Sequence, residues 1–156
     1  MNVLTILDLV AVFFAGMLTG IELGIHAGVR GPAEELPDRA QLQLRKAMVL
    51  KLRVLVPAFF VPLALLAIAL TVLHVGAPGF AFRCAAVVAL LVWIGLRVVG
   101  TVPINSATLD WPLDAPPDDW KAQVARAERF HTLGVCAAIG TFAFLLLALA
   151  LKLMVR

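Results

Sequence analysis

The chain has 156 residues, of which 62% are hydrophobic and only 15% are charged. A soluble domain of this size has about 45–50% apolar and about 25% charged residues, and one small core cannot bury so much apolar surface. The composition therefore excludes a soluble enzyme, a disordered chain and a disulfide scaffold, and it favours a protein whose solvent is lipid.

The excess of basic residues does not indicate a nucleic-acid partner, although the formal net charge is +3. Basic residues that lie between two apolar runs are typical of the flanks of a membrane, and a basic stripe interleaved with aromatic residues is missing. We therefore expect the lipid bilayer, and not nucleic acid, as the main partner. Six basic residues follow this pattern: Arg30, Arg39, Arg45, Lys46, Lys51 and Arg53.

Four apolar runs are long enough to cross a bilayer, which takes about 20 residues of helix. They cover about 4–25, 54–73, 80–102 and 133–151. The segment 74–79 between the second and third runs is short enough to require an antiparallel hairpin. The sequence thus predicts an all-α fold, a single four-span transmembrane domain over residues 1–156.

Short amphipathic helices are predicted to extend this bundle on one side. The segment that starts at Pro37 is predicted as an interfacial helix that runs into the second span, with Leu36, Leu44 and Leu50 in its apolar stripe and Lys46 facing away. Pro103 is expected to end the third span.

A second extension is predicted before the fourth span. Asp118 and Asp119 follow Pro117, a pattern typical of a helix start. Four residues then share one helical face that leads into the span: Trp120, Val124, Ala127 and His131.

The basic residues also predict an orientation. Both termini and the 74–79 turn lie on one side, with Lys152, Arg156 and, at its edge, Arg83. The connections 26–53 and 103–132 lie on the other side with nine Lys or Arg residues. The positive-inside rule then places these connections in the cytoplasm and both termini outside it, in a bacterial-type inner membrane.

Most of the polar residues inside the spans fall at one end of the bundle. Charged groups at bilayer depth are costly and usually face the interior or a wet cavity, so we expect these residues to form one layer around a pocket. Only Asp8 and Arg83 fall at the opposite end, and the apolar outer halves of the spans argue against a transport path. The layer consists of Glu22, His26, Arg53, Arg97, Asn105 and His131.

The residues alone leave several roles open for this layer. Arg97 needs an acidic partner, and Glu22 is the candidate. Glu22, His26 and His131 would make a two-histidine, one-carboxylate iron set, and two histidines on facing helices would hold a haem. Neither alternative has a diagnostic spacing, and a layer that merely holds the helices together is a further alternative.

The second half of the chain resembles the anthrone-oxygenase-like family of small four-helix membrane proteins. That family has a pattern similar to PxN…LxxW…dW…RWxxxH before its last span. This chain has TVPINSATLDW at 101–111, PPDDW at 116–120 and RAERFH at 126–131. The first half agrees through GIELG at 20–24, His26, Leu36-Pro37 and the pair Arg53 and Pro57.

The resemblance implies six functional positions: Glu22, Arg53, Asn105, Trp120, Arg126 and His131. Two positions depart from the family. Ala127 stands where a tryptophan usually follows the arginine, and Gly134 stands where an arginine is common. Both positions are expected to line or approach the pocket. The resemblance therefore does not by itself extend the aromatic polyketide substrate of the named family members to this chain.

The implied reaction is O₂-dependent oxidation of a small apolar or phenolic, anthrone-like substrate. His131 would be the base, Asn105 with Arg97 or Arg53 would support the oxyanion, and Glu22 would orient an imidazole. This scheme needs no cofactor. In the alternative, haem b or a copper or iron ion binds His26 and His131, with Trp120 and Arg126 as further contacts.

Association of several copies is a separate expectation. Gly16, Gly20 and Gly24 follow one another at four-residue spacing on the first helix. Such small-residue patterns let transmembrane helices approach closely.

Overall fold

The computed structural model describes residues 2–155, and its regular elements are all helical. The four long helices are α1 (Val3–Glu34), α2 (Asp38–Leu73), α3 (Phe80–Asp110) and α4 (Trp120–Met154). Each is long and apolar enough to cross a membrane. The prediction of an all-α, four-span membrane bundle is confirmed.

The helices are arranged in a square in chain order. α1 packs against α2 and α4, and α3 packs against the same two helices, so α1 and α3 lie diagonally across the bundle. The core contains Leu18, Leu63, Trp93 and Leu145. Large apolar side chains also cover the outer surface, as expected where lipid and not water is the solvent.

The bundle has two distinct ends. The termini end holds Asn2, Val155 and the turn between α2 and α3, while the loop end holds the two connections at 35–37 and 111–119. Arg156, which contributes to the predicted orientation, lies outside the described residues. In the turn, Gly79 has a φ of +84°, and a Cβ there would lie 2.7 Å from the carbonyl oxygen of Ala148. Glycine is therefore required at this position for both conformation and space.

Two π-helical turns interrupt α1 and α3 near the loop end. Ile25–Val29 forms the first and Arg97–Thr101 the second. The expectation that Pro103 ends the third span is wrong, because α3 continues as Val102–Asp110. The wider π turn lies directly before Pro103, which then occupies the first turn of the following α-helical segment, where its missing N–H costs little.

α2 begins at Asp38 and continues without a break into the membrane span, as predicted. The expectation that Lys46 faces away from the bundle is wrong. Lys46 turns inward and donates hydrogen bonds to the carbonyls of Leu109 (3.0 Å) and Trp111 (2.5 Å). Leu42 is fully buried beside Trp111 and Trp120. The last carbonyls of a helix lack backbone partners and carry partial negative charge, which favours a lysine there.

The glycines of α1 do not share one open face. A Cβ on Gly16 would lie 3.3 Å from the ring of Phe142, so this position packs inside the bundle. Gly20 and Gly24 face open space. Association of copies through this stripe stays a prediction.

Candidate functional site

Glu22 lies at the centre of the polar layer and is fully buried. One carboxylate oxygen forms an ion pair with Arg97 of α3, and the other lies 3.3 Å from Nδ1 of His131 on α4. The expected pairing of Glu22 with Arg97 is therefore confirmed. One carboxylate on α1 connects the two helices that surround it.

His26 completes this cluster from the first π turn. It is one turn beyond Glu22 along α1, and its ring centroid lies 6.1 Å from that of His131. The structure thus brings together four of the six side chains predicted for the layer. We call Glu22, His26, Arg97 and His131 the buried polar cluster; Glu22 and His131 are buried, and His26 and Arg97 are partly buried beside them.

The π turns position two members of this cluster. His26 belongs to Ile25–Val29, and Arg97 opens Arg97–Thr101. A π turn inserts one extra residue and so redirects the side chains after it; such turns are frequent at functional sites. Gly100 in the second turn lies against the ring of Phe130, where a Cβ would overlap the ring. The absence of a side chain at Gly100 lets α4 approach α3 next to His131.

Buried polar atoms without hydrogen-bond partners are concentrated here. Folded proteins contain few such atoms, and each calls for an explanation such as a bound molecule or water. Six of the eight in the described chain lie in or beside the buried polar cluster. They are Glu22 Oε2, His26 Nδ1, Trp93 Nε1, Arg97 Nε, Thr101 Oγ1 and His131 Nε2.

Two cavities meet at the cluster. The first, of about 110 Å³, lies at the loop end and is lined by His131, Arg97, Asn105 and several charged residues; we call it the polar cavity. The second, of about 360 Å³, lies between α2 and α3 and is mostly apolar; we call it the lateral cavity. Arg97 and Asn105 line both.

The sequence-based prediction missed Arg45, which is the contribution of α2 to the polar layer. Its guanidinium donates hydrogen bonds to Oδ1 of Asn105 (2.8 Å), Oε1 of Glu128 (3.2 Å) and Oγ1 of Thr108 (3.4 Å). Arg45 lies three residues after the buried Leu42 and therefore on the same helical face. Leu42 is not in the apolar stripe predicted for this helix, so the sequence pattern did not indicate that this face is buried.

The remaining predicted residues lie in different places. Arg53 is exposed and lines only the lateral cavity. Trp120 is buried and lines the polar cavity. Arg126 is exposed and lines neither cavity, because it is one residue, about 100° of helix rotation, from the buried Ala127.

Ala127 and Gly134 are both buried. Ala127 lines the polar cavity, as expected. Gly134 packs against Trp93, whose ring would lie 3.7 Å from an added Cβ. An arginine at this position would displace Trp93.

The cluster does not fit the metal-binding alternatives. Within residues 2–155, no group of three His, Cys, Asp or Glu side chains is arranged to hold a metal ion. The adjoining polar cavity, at about 110 Å³, is below the range of about 300–1,000 Å³ typical of cofactor sites. We therefore derive no step through iron, copper or haem.

A second buried ion pair lies at the termini end. Arg83 Nη1 donates to Oδ1 of Asp8 at 2.5 Å, and Lys152 Nζ donates to Oδ2 at 2.7 Å. The sequence placed Asp8 and Arg83 at this end but did not pair them. The signal was the equal separation of 75 residues in the pairs Asp8–Arg83 and Glu22–Arg97.

Comparisons with known proteins add no homologue to this description. Neither a family model, nor a curated protein, nor a solved structure matches the chain. The buried polar cluster and its two cavities are therefore the features that indicate a function.

Proposed function

We propose that the protein is a membrane-embedded oxidoreductase that uses O₂ to oxidise a small apolar or phenolic, anthrone-like substrate at the buried polar cluster. The observation that carries this proposal is the environment of His131. Its Nδ1 lies 3.3 Å from the fully buried Glu22, while its Nε2 has no hydrogen-bond partner in the described chain. An imidazole with a carboxylate beside one nitrogen and no partner on the other has that second nitrogen available as a base.

The chemistry requires a substrate carbon that is acidic because its carbanion is delocalised. His131 takes a proton from this CH₂ group, and the carbanion transfers one electron to O₂. The resulting carbon radical and superoxide combine, and a proton completes a hydroperoxide. Loss of water gives the ketone, so CH₂ and O₂ become C=O and H₂O, with no external reductant.

Arg97 and Asn105 are suited to stabilise the negative charge that develops on a substrate oxygen. Both line the polar cavity together with His131, and both also line the lateral cavity. The hydrogen bond from Arg45 to Oδ1 of Asn105 fixes the orientation of that amide. Donors that are held in place before reaction stabilise a developing oxyanion without reorganisation.

The proposal includes an orientation in the membrane. The loop end, with its nine Lys or Arg residues in connections 26–53 and 103–132, faces the cytoplasm of a bacterial-type inner membrane. Cysteine-accessibility labelling of single-cysteine variants in spheroplasts tests this orientation. Labelling of a cysteine placed at residue 115 from outside the cell would contradict it.

O₂ uptake by the detergent-purified protein with anthrone as the trial substrate tests the activity. We expect consumption of one O₂ per substrate without release of H₂O₂, and a loss of at least about 100-fold in His131→Gln, the usual contribution of a general base. His74→Gln is the matched control, since His74 lies at the termini end and bonds the carbonyl of Leu70. Equal rates in wild type and His131→Gln would contradict the proposal.

One observation favours a second candidate, a non-catalytic membrane subunit. Asp8 and Arg83 form a similar buried ion pair at the termini end, and neither of these two residues lines a cavity. On this reading Glu22 and Arg97 hold helices together in the same way. His131→Gln would then change thermal stability, and no trial substrate would raise O₂ uptake.

A further inference from the structure

The lateral cavity has the size of a ligand site, and it extends from Arg97, the one residue that it shares with the buried polar cluster, towards the surface between α2 and α3. Its volume of about 360 Å³ falls within the range of about 300–1,000 Å³ for small-molecule sites. α3 packs far more extensively against α4 than against α2, and the cavity occupies the space that this leaves. Along α2 it extends from Val49 to Phe60, a rise of about 16 Å.

The cavity is open to the bilayer at the level where α2 enters the membrane. Arg53, Pro57, Val102 and Ser106 line it and are exposed at the bundle surface. Arg53 directly precedes the apolar span predicted from residue 54. A molecule already dissolved in the membrane can therefore reach the cavity sideways, without crossing the protein.

The polarity of the lining changes along the bundle axis. Ser106 and Arg53 lie towards the loop end, whereas the deep part is closed by Phe60 and Trp93, whose rings stack at 5.0 Å. The cavity thus has a polar outer part and an apolar inner part. An amphiphile in a bilayer has the same arrangement, with its polar head group near the surface and its apolar chain deeper.

The charge at the outer part is positive and uncompensated. Arg97 also lines the cavity, but its charge is paired with Glu22. Arg53 forms no ion pair with any side chain of residues 2–155, and the described residues around the cavity include no carboxylate. A guanidinium that has no other partner can donate two parallel N–H hydrogen bonds to one carboxylate, in a bidentate arrangement.

From these observations we propose that the lateral cavity binds a single-chain, monoanionic amphiphile from the membrane, with its carboxylate on Arg53 and its chain against Phe60 and Trp93. The cavity holds one chain, and one unpaired guanidinium matches one negative charge. The cavity shares Arg97 and Asn105 with the reaction proposed above, but binding does not require the proposed base, because His131 lies outside this cavity.

Photocrosslinking tests the proposal in the purified, full-length protein in neutral detergent. The probe is a hexadecanoate with a diazirine near the middle of its chain, because Arg53 and Phe60 are about 10 Å apart along α2. The crosslinked peptides are identified by mass spectrometry. We expect crosslinks on the segments around Phe60 and Trp93. We also expect unlabelled hexadecanoate to compete about ten-fold more strongly than hexadecanol, as for one charge-assisted contact.

Substitutions separate the roles of the head and the chain. Arg53→Gln should remove the preference for the acid, and Arg53→Lys should restore part of it. Lys51→Gln is the matched control, because Lys51 is exposed on the same helix but lines neither cavity. Val56→Trp fills the inner part and should reduce labelling regardless of the head group.

Three outcomes would overturn the proposal: crosslinks outside the α2–α3 cavity, equal competition by the acid and the alcohol in wild type, or an unchanged acid preference in Arg53→Gln. Equal competition by a diacyl anionic phospholipid would also overturn it, since the site would then bind bulk lipid. His131→Gln should retain probe binding, so that a failure of turnover is distinguishable from a failure of this site.

Discussion

Glu22 and Arg97 pair across the diagonal of the bundle, between two helices that do not pack directly against each other. The same helices are joined at their other end by Asp8 and Arg83, and both pairs are separated by 75 residues in the chain. α1 and α3 run in the same direction, so the two pairs lie about 21 Å apart along the axis. Two buried ion pairs thus fix the register of parallel, diagonal helices.

The Glu22–Arg97 pair predicts strongly non-additive effects on stability. Glu22→Gln or Arg97→Gln alone leaves one buried charge without a partner and should reduce the free energy of unfolding by about 3–5 kcal/mol. The double variant should lose far less free energy of unfolding than the sum of the losses in the two single variants. Unfolding by SDS titration in mixed micelles measures this double-mutant cycle. Glu34→Gln is the control, because the side chain of Glu34 is 62% exposed.

Asp8 should affect stability without affecting the candidate site. Asp8→Asn leaves Arg83 and Lys152 at the termini end without their carboxylate, at a cost of about 3–5 kcal/mol. Because neither cavity includes these residues, hexadecanoate binding and any O₂ uptake at a temperature below unfolding should equal those of wild type. A large loss of binding in the folded variant would contradict this separation.

Gly100 should be intolerant of any side chain. In Gly100→Ala the new Cβ overlaps the ring of Phe130, and overpacking of this kind costs about 1–3 kcal/mol. Gly20→Ala is the matched control, since a Cβ there meets open space. Thermal unfolding in detergent compares the two. Combining Gly100→Ala with Phe130→Leu should recover part of the loss if contact with the ring is its cause.

Arg45 should act as a positioning residue for Asn105. Arg45→Gln removes donors to Asn105 and Glu128, so turnover should fall mainly in kcat, with KM less affected. Arg45→Lys should restore charge but not the geometry of several simultaneous contacts. Arg39→Gln is the control, because Arg39 pairs with Asp114 on the exposed surface. An equal kcat in Arg45→Gln and wild type would contradict this role.

Periodicity and composition were sufficient for the fold because lipid leaves few alternatives. An apolar run must form a helix to satisfy its backbone, and short connections require antiparallel neighbours. The same logic placed Glu22, His26, Arg97 and His131 in one layer, and it paired Glu22 with Arg97 because an unpaired charge at that depth is costly.

The helix rotations were not predictable in the same way. Arg45 and Lys46 looked like basic residues flanking a membrane, yet both turn inward, because carbonyl and amide oxygens of α3 and the carboxylate of Glu128 face them. Arg53 and Arg126 were expected at the site and are exposed. The π turns shift the register of α1 and α3 at the loop end, and local sequence does not signal them clearly.

The diagonal pairs have a consequence for how the chain enters the membrane. α1 carries two carboxylates whose guanidinium partners, Arg83 and Arg97, are synthesised 75 residues later. Until α3 is made, neither carboxylate has its guanidinium partner, so we predict that stable integration of α1 requires the third span. Truncation before α3 should then leave α1 exposed to quality-control proteolysis, whereas neutral substitutions at Asp8 and Glu22 should let α1 integrate without α3.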